Sequence, residues 1–334
     1  MPEPNVDPSR RAAALACALL SGLLMLAAPA LSAQPAPPVQ ESDDDGRGAE
    51  AAPSRQRFPA EVQVLRDLPY GSDRLQRLDV YLPSGRDRDA GRDAERERAR
   101  DGAPVIVLVH GGAWRGGDKA AAALIDLKVL RWVRRGFVVV SVNHRLLPQA
   151  DVLTQAADVA RALAFAQGMA GRWGAQASRF ILMGHSSGAH LVDLLGADPA
   201  LARAQGARPW LGNVSLDSAA LDVVSLMQGP HLRLHDAAFG DDPAGWRRLS
   251  PLQRLNGRPV PMLLVCSTLR AESCAAARSF AERAQALGGR VVVREEPLPH
   301  ARIDADLGLP GDYTDAVEAF MASLDAQVRL RLRP

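Results

Sequence analysis

From Val105 onward the apolar positions change period in a regular alternation. Val105–Val109 is an unbroken apolar run, Ala120–Trp132 carries its apolar residues at helical spacing, and Phe137–Val142 is again largely β-branched. Short β-branched runs separated by helical stretches predict strands buried on both faces, as in a parallel sheet. The alternation continues with a helix around Val152–Ala166, a strand at Arg179–Met183, a helix at Ala189–Leu195 and a strand at Leu211–Leu216. After a less regular stretch come a strand at Val260–Cys266, a helix at Ala275–Leu287, a strand at Arg290–Arg294 and a last helix at Tyr313–Leu324. Two earlier strands, Glu61–Leu68 and Leu75–Leu82, flank the turn Pro69-Tyr70-Gly71-Ser72 and are expected to pair antiparallel. The pattern predicts an α/β domain with a mostly parallel central sheet. No unit recurs at a fixed period, which excludes a solenoid or propeller.

Other segments have little to bury. Residues 34–57 hold Pro, Gln, Ser and the run Asp43-Asp44-Asp45 with almost no large apolar side chains, and are expected to form a disordered linker. Residues 86–101 hold six arginines and six acidic residues in sixteen positions, the composition of a solvated surface insertion. The folded domain is expected over 58–330. Ahead of it, Arg10 and Arg11 precede an apolar run, Ala12–Ala30, that ends in Leu31-Ser32-Ala33. This is the pattern of a signal peptide over 1–33, cleaved after Ala33, so that a periplasmic or secreted location is expected. Ser21, Gly22 and Pro29 make the run a poor spanning helix, and only five residues separate Arg11 from Cys17, too few for a lipoprotein signal. No stable membrane anchor is expected after processing.

Charge and cysteine content narrow the partners. The 334-residue chain carries 40 basic and 38 acidic side chains, and the arginines of 86–101 are interleaved with acids, so no clustered basic surface invites nucleic acid. Three cysteines are too few for a disulfide scaffold. Cys266 and Cys274 nevertheless bracket one turn, and in an exported chain a bridge would pin it; two buried thiols are the alternative.

The chemistry is concentrated at strand ends. Gly184-His185-Ser186-Ser187-Gly188 follows an apolar strand and runs straight into a helix. Glycines two before and two after Ser186 remove the Cβ atoms that would clash on such a corner, which lifts the hydroxyl clear of the sheet as a nucleophile. His110-Gly111-Gly112-Ala113-Trp114 follows the strand Val105–Val109, where Gly111 and Gly112 can turn backbone N–H groups toward a carbonyl oxygen. Ser187 N–H supplies a further donor. The glycines do not form a phosphate-cradling motif. His110 is expected to order this loop, and Trp114 to line a pocket or to pack.

A serine hydroxyl needs a base, and His300, between the last strand and the last helix, stands where the order nucleophile, acid, histidine would put it. In Ser267–Cys274 the single carboxylate is Glu272, the leading candidate for the acid. Asp217 and Asp222, after the strand ending at Leu216, are the alternatives, and either could instead cap a helix. His144 is a candidate helper of the site, while His185 and His190 beside the serine are expected to pack or fix tautomers. His231 and His235 have helical spacing but no third ligand nearby, so solvent exposure is expected there and no metal or cofactor is implied.

Taken together, His110–Trp114, Asn143–Leu146, Gly184–Gly188, Ala238–Pro243 with Trp246 and Ser250-Pro251, and His300 resemble the α/β-hydrolase superfamily, in its esterase branch with an HGGxW oxyanion loop. The branch includes carboxylesterases, carbohydrate acetyl esterases and kynurenine formamidase-like enzymes. The resemblance implies the α/β-hydrolase fold, a small helical cap over 222–255 with Met227, Leu232 and Leu234 as pocket candidates, and cofactor-free cleavage of a small ester, with acetylated saccharides among the candidates. An arylformamidase-like amide hydrolase is the alternative within the branch. The family commonly places Gly-x-x-Asp after the strand that here ends at Cys266, where this chain has Ser267-Thr268-Leu269-Arg270. Arg270 in that position leaves room for a non-catalytic binding protein on the same scaffold.

Overall fold

The computed structural model describes residues 58–84, 102–218 and 220–333. The expected signal peptide, linker and charged insertion lie outside the described residues. Among the described residues eight strands form one sheet: β1 (Val62–Pro69), β2 (Arg77–Pro83), β3 (Ala103–Val109), β4 (Val138–Val142), β5 (Ala175–His185), β6 (Gly212–Leu216), β7 (Met262–Ser267) and β8 (Val291–Glu296). Their spatial order is β1-β2-β4-β3-β5-β6-β7-β8. The contacts β1–β2 and β2–β4 are antiparallel and all the others parallel.

The order has one consequence for function. From β3 the chain crosses through α1 (Ala122–Val133) to β4 on one side, then returns through α2 (Val152–Met169) to β5 on the other. At such a reversal the loops leaving the two central strands diverge and open a crevice at the carboxyl edge of the sheet. Those loops carry His110–Trp114 and Ser186.

The continuous apolar runs are explained by cover on both faces. Val105, Val107 and Val109 of β3 pack into one core cluster, with residues of α2 and α3 (Ser187–Ala197). Ile106 and Leu108 point the other way, into a cluster with α1 residues and Val317, Phe320 and Met321. Numbered along the chain, the remaining helices are α4 (Pro199–Arg203), α5 (Val223–Gln228), α6 (Arg233–Phe239), α7 (Pro243–Leu249), α8 (Pro251–Arg254), α9 (Ala271–Ala286), α10 (His300–Ala305), α11 (Asp312–Ala322) and α12 (Ala326–Arg331). The four short helices α5–α8 occupy the 222–255 stretch. β5 begins four residues before the expected start at Arg179, because Ala175 pairs with Ala103 beyond a register shift. No helix among the described residues is long and apolar enough to cross a membrane.

Candidate active site

Ser186 sits between the end of β5 and the first turn of α3 with φ 54° and ψ −119°, a conformation costly for a residue with a side chain. Neighbouring contacts hold it there: Ser186 N–H donates to Leu216 O at 3.0 Å and Ser186 O accepts from His190 N–H at 3.1 Å. Both flanking glycines are sterically required. A Cβ at Gly184 would lie 2.3 Å from Gly188 O, and one at Gly188 would lie 2.4 Å from both Val109 O and His110 O. The corner thus fits against the strand that carries the oxyanion loop.

That loop lies close against the serine. A Cβ on Gly111 would come within 3.0 Å of Ser186 Cβ, and Gly112, Ala113 and Trp114 all have positive φ. Arg115 N–H and Gly116 N–H both donate to Gly112 O, closing the turn. His110 is buried, its Nδ1 2.8 Å from Gly111 O and its ring stacked on His144 at 4.6 Å. Burial, with the neighbouring His110 ring, pushes His144 down to about 3, and burial lowers His110 too. Both rings are neutral packing elements of the loop base at ordinary pH.

Trp114 packs; it is only 4% exposed. Its ring meets Phe239 at 4.9 Å, and its Nε1–H donates to His190 Nδ1 at 3.3 Å. His190 Nε2 lies 2.8 Å from Leu249 O, so this buried imidazole ties the oxyanion loop to α7 and is fixed as the Nε2–H tautomer. Burial lowers His190 to about 4. Of the other pocket candidates, Met227 is buried, Leu234 packs on the core, and Leu232 is exposed.

The carboxylate that meets His300 lies at the end of β6. Asp217, fully buried and held at φ 53°, places Oδ2 2.6 Å from His300 Nδ1. Its other oxygen accepts from Ser267 N–H at 2.9 Å and from Ser273 Oγ at 2.5 Å. Burial opposes its ionisation, but the bond to His300, the Arg270 charge and the serine donors outweigh it and hold the carboxyl well below the usual carboxylate range. Glu272, the expected acid, is not in contact with His300: its side chain is 63% exposed and lies 3.5 Å from Arg270 Nε. The reason is local. Glu272 lies in the first turn of α9, which starts at Ala271, and the helix carries the side chain outward. Asp222 caps α5 through Ser225 N–H at 3.4 Å, the structural role open to it from sequence.

His300 opens α10 and lies beside the nucleophile strand. Its ring centroid is 4.5 Å from that of His185, and its carbonyl oxygen is 3.0 Å from His185 Nε2. Burial lowers His185 to about 4. The structure therefore brings Ser186, Ser187, Gly111, Gly112, His300 and Asp217 to one edge of the sheet. Three residues unforeseen as part of the site, Ser267, Arg270 and Ser273, supply donors to Asp217. All three lie within the loop closed by the Cys266–Cys274 disulfide, whose Cα atoms are 5.1 Å apart.

The distant histidine pair behaves differently from expectation. His231 precedes α6 and meets Asp236 at 2.9 Å, while His235 is half-buried and stacked on Phe239 at 6.0 Å rather than solvent-exposed. No cluster of three metal-ligating side chains occurs among the described residues.

Comparison with known proteins agrees with this architecture. Residues 94–218 match the model of the BD-FAE family. The chain is 32% identical over 130 residues to the probable isoprenylcysteine alpha-carbonyl methylesterase ICME of Oryza sativa subsp. japonica, covering 39% of this chain and 28% of that protein. It is 29% identical over 140 residues to the kynurenine formamidase of Danio rerio, covering 42% of this chain and 41% of that protein. Esterase LipC of Mycobacterium tuberculosis is 26% identical over 259 residues, with 72% of this chain and 60% of that protein covered. The chain thus spans between 28% and 60% of these curated relatives. Among solved structures, esterase B from Lactobacillus Rhamnosis superposes with a TM-score of 0.65 at 18% identity, over 83% of this chain and 89% of that one. Apo Thermogutta terrifontis esterase 2 superposes with a TM-score of 0.61 at 18% identity, over 79% and 95%. By the order of its sheet, the corner at Ser186 and these likenesses, the chain has the α/β-hydrolase fold.

Proposed function

We propose that this protein is a serine hydrolase of small carboxylic esters, with Ser186 as nucleophile, His300 as base, Asp217 as acid and the amides of Gly111, Gly112 and Ser187 as oxyanion donors. The observation that carries the reading is the 2.6 Å contact between Asp217 Oδ2 and His300 Nδ1, on the same sheet edge as the strained Ser186 corner. A proton held between Nδ1 and Asp217 leaves Nε2 free to take the Ser186 proton as Oγ bonds to the ester carbonyl carbon. The tetrahedral oxyanion gathers charge that the loop amides and the amino end of α3 stabilise. As the C–O bond breaks, Nε2–H returns the proton to the leaving alkoxide. Water then attacks the acyl-serine and gives one proton to His300; as the C–Oγ bond breaks, Nε2–H returns that proton to Ser186 Oγ and the carboxylic acid leaves.

The substrate reading rests on the short helices α5–α8, a modest cover suited to a small acyl group, and on relatives named methylesterase and esterase. The relatives named kynurenine formamidase favour a second reading, amide hydrolysis of a formylated aromatic amine by the same machinery. Acetylated saccharides fit the ester reading as well. The test is turnover of p-nitrophenyl esters of increasing acyl length, acetylated xylan oligomers and N-formylkynurenine, each beside Ser186→Ala. Fast acetyl and butyryl turnover that collapses with longer chains, and is absent in Ser186→Ala, is expected. Equal rates for short and long acyl groups overturn the small-ester reading, and activity surviving in Ser186→Ala overturns the mechanism.

Export belongs to the same proposal. A bridged Cys266–Cys274 persists in an oxidising compartment, in keeping with the signal pattern ahead of Ala33. Mass spectrometry of the mature chain is expected to find Gln34 at its amino end; an uncleaved chain in the cytosolic fraction overturns it.

A further inference from the structure

Arg270 has no part in the acyl-transfer scheme, yet it stands within the machinery. Its Nη1 lies 2.8 Å from His300 Nδ1 and 2.9 Å from Asp217 Oδ2. A guanidinium only donates, and an imidazole nitrogen has a single in-plane position, holding either a proton or a lone pair. If Nδ1 holds its proton toward Asp217, Nε2 keeps the lone pair that takes the serine proton. If Nδ1 accepts from Arg270, the proton sits on Nε2 and the ring cannot act as base. The two arrangements compete for one atom, and Arg270 also neutralises the carboxylate that should face the forming imidazolium.

Anything that draws the guanidinium away favours the working arrangement. Arg270 is open to such a partner, since its side chain is 25% exposed. Glu272, itself 63% exposed, already brings a carboxylate to 3.5 Å from Arg270 Nε from the solvent side. Burial, then His231 and the Arg270 charge, lower His235 of α6 to about 4. Other charged and titratable groups near His300 are the neutral His185 ring, with Asp304 3.9 Å and Lys128 farther behind it. None of these takes the place of Arg270 at Nδ1.

We propose that Arg270 is a specificity-determining residue that binds a free carboxylate carried by the ester substrate, and that this contact releases His300 Nδ1 to Asp217. The preferred substrates are then half-esters and other esters bearing an anion near the scissile bond, held in the two-pronged geometry that arginine offers a carboxylate. The inference rests on the ester-hydrolase reading and names its substrate class.

Matched pairs test it: 4-acetoxybenzoate against 4-acetoxybenzamide places the anion on the alcohol side, and monoethyl succinate against ethyl succinamate places it on the acyl side. At least one anionic member is expected to exceed its neutral partner in kcat/KM by about ten- to hundredfold, the range of a charge-assisted hydrogen-bond pair. Arg270→Gln is expected to bring that ratio to about one or below, and Arg270→Lys to restore part of it. Hydrolysis of the neutral esters with no anionic preference in the native protein overturns this inference alone. So does a preference that survives Arg270→Gln. Failure to hydrolyse any of the four, with Ser186 intact, overturns the ester-hydrolase reading and the inference with it.

Discussion

Asp217 Oδ2 and His300 Nδ1 are 2.6 Å apart although 83 residues separate them in the chain. The contact brings the end of β6 to the start of α10, and the strained φ of 53° at Asp217 aims the carboxylate across the gap. Replacing Asp217 by Asn keeps the shape but presents an amide donor to Nδ1 and favours the wrong tautomer. The expected loss in kcat is about 10³–10⁴-fold. Glu272→Ala is expected to change kcat less than about tenfold. Steady-state kinetics on p-nitrophenyl acetate with both variants decide the matter, and a larger loss for Glu272→Ala would return the acid to α9.

The two carboxylates also show where the chain was readable. The strands β3 and β4 announce themselves because both faces are covered, which favours nearly continuous β-branched runs. The Ser186 corner is legible because its steric demand selects glycine at 184 and 188, and His300 is legible from chain order. The carboxylate that meets His300 was not, since a carboxylate can reach it from the end of β6 or the end of β7, and local pattern does not distinguish the two. What separated them was that α9 starts at Ala271 and turns Glu272 outward. Buried charges such as Lys128, paired with Asp304 at 2.8 Å, were equally hidden, because their partners lie far away in sequence.

The glycines near the serine should separate by role. An added Cβ at Gly188 meets backbone carbonyls of β3 and its loop at 2.4 Å, and those atoms cannot move without shifting the sheet. Gly188→Ala is therefore expected to cost about 1–3 kcal/mol of stability, the usual range for overpacking. At Gly111 the added carbon meets Ser186 Cβ at 3.0 Å and His185 O at 3.1 Å without any positive φ, so a smaller stability loss than at Gly188 is expected. Its activity is expected to fall by about 10²–10³-fold, as when an oxyanion donor is misplaced. Thermal melts beside kcat measurements check both; equal stability losses in the two variants would refute the distinction.

Breaking the Cys266–Cys274 bridge should affect activity through Asp217. The bridge closes a loop of eight residues in separation, for which chain entropy gives about 2–3 kcal/mol. Ser267 and Ser273, which donate to Asp217 Oδ1, sit inside that loop. The Cys266→Ser/Cys274→Ser double variant is expected to melt lower and, at temperatures where it is still folded, to lose kcat. A variant with native kcat well below its melting point would show that the loop keeps its grip without the bond.

Asp193 gives a pH dependence of stability whose sign can be worked out. It lies fully buried in α3 and accepts from Ser215 Oγ at 2.9 Å. Burial, only partly opposed by the Ser215 hydrogen bond and the nearby Ser218, pushes its carboxyl up to about 8. The unfolded chain releases that proton near pH 4, whereas the folded chain keeps it to about pH 8. Across that window the folded state binds more protons, so this residue makes stability fall as pH rises, with no further change above it. Asp193→Asn keeps the size and an acceptor for Ser215 but cannot ionise. Its stability relative to the native protein is expected to rise between pH 5 and pH 8 by roughly 1–4 kcal/mol, a fraction to most of the ~1.4 kcal/mol available per pH unit. Urea unfolding at both pH values measures the difference, and a difference that stays constant or narrows with pH would mean that Asp193 is already ionised in the folded protein.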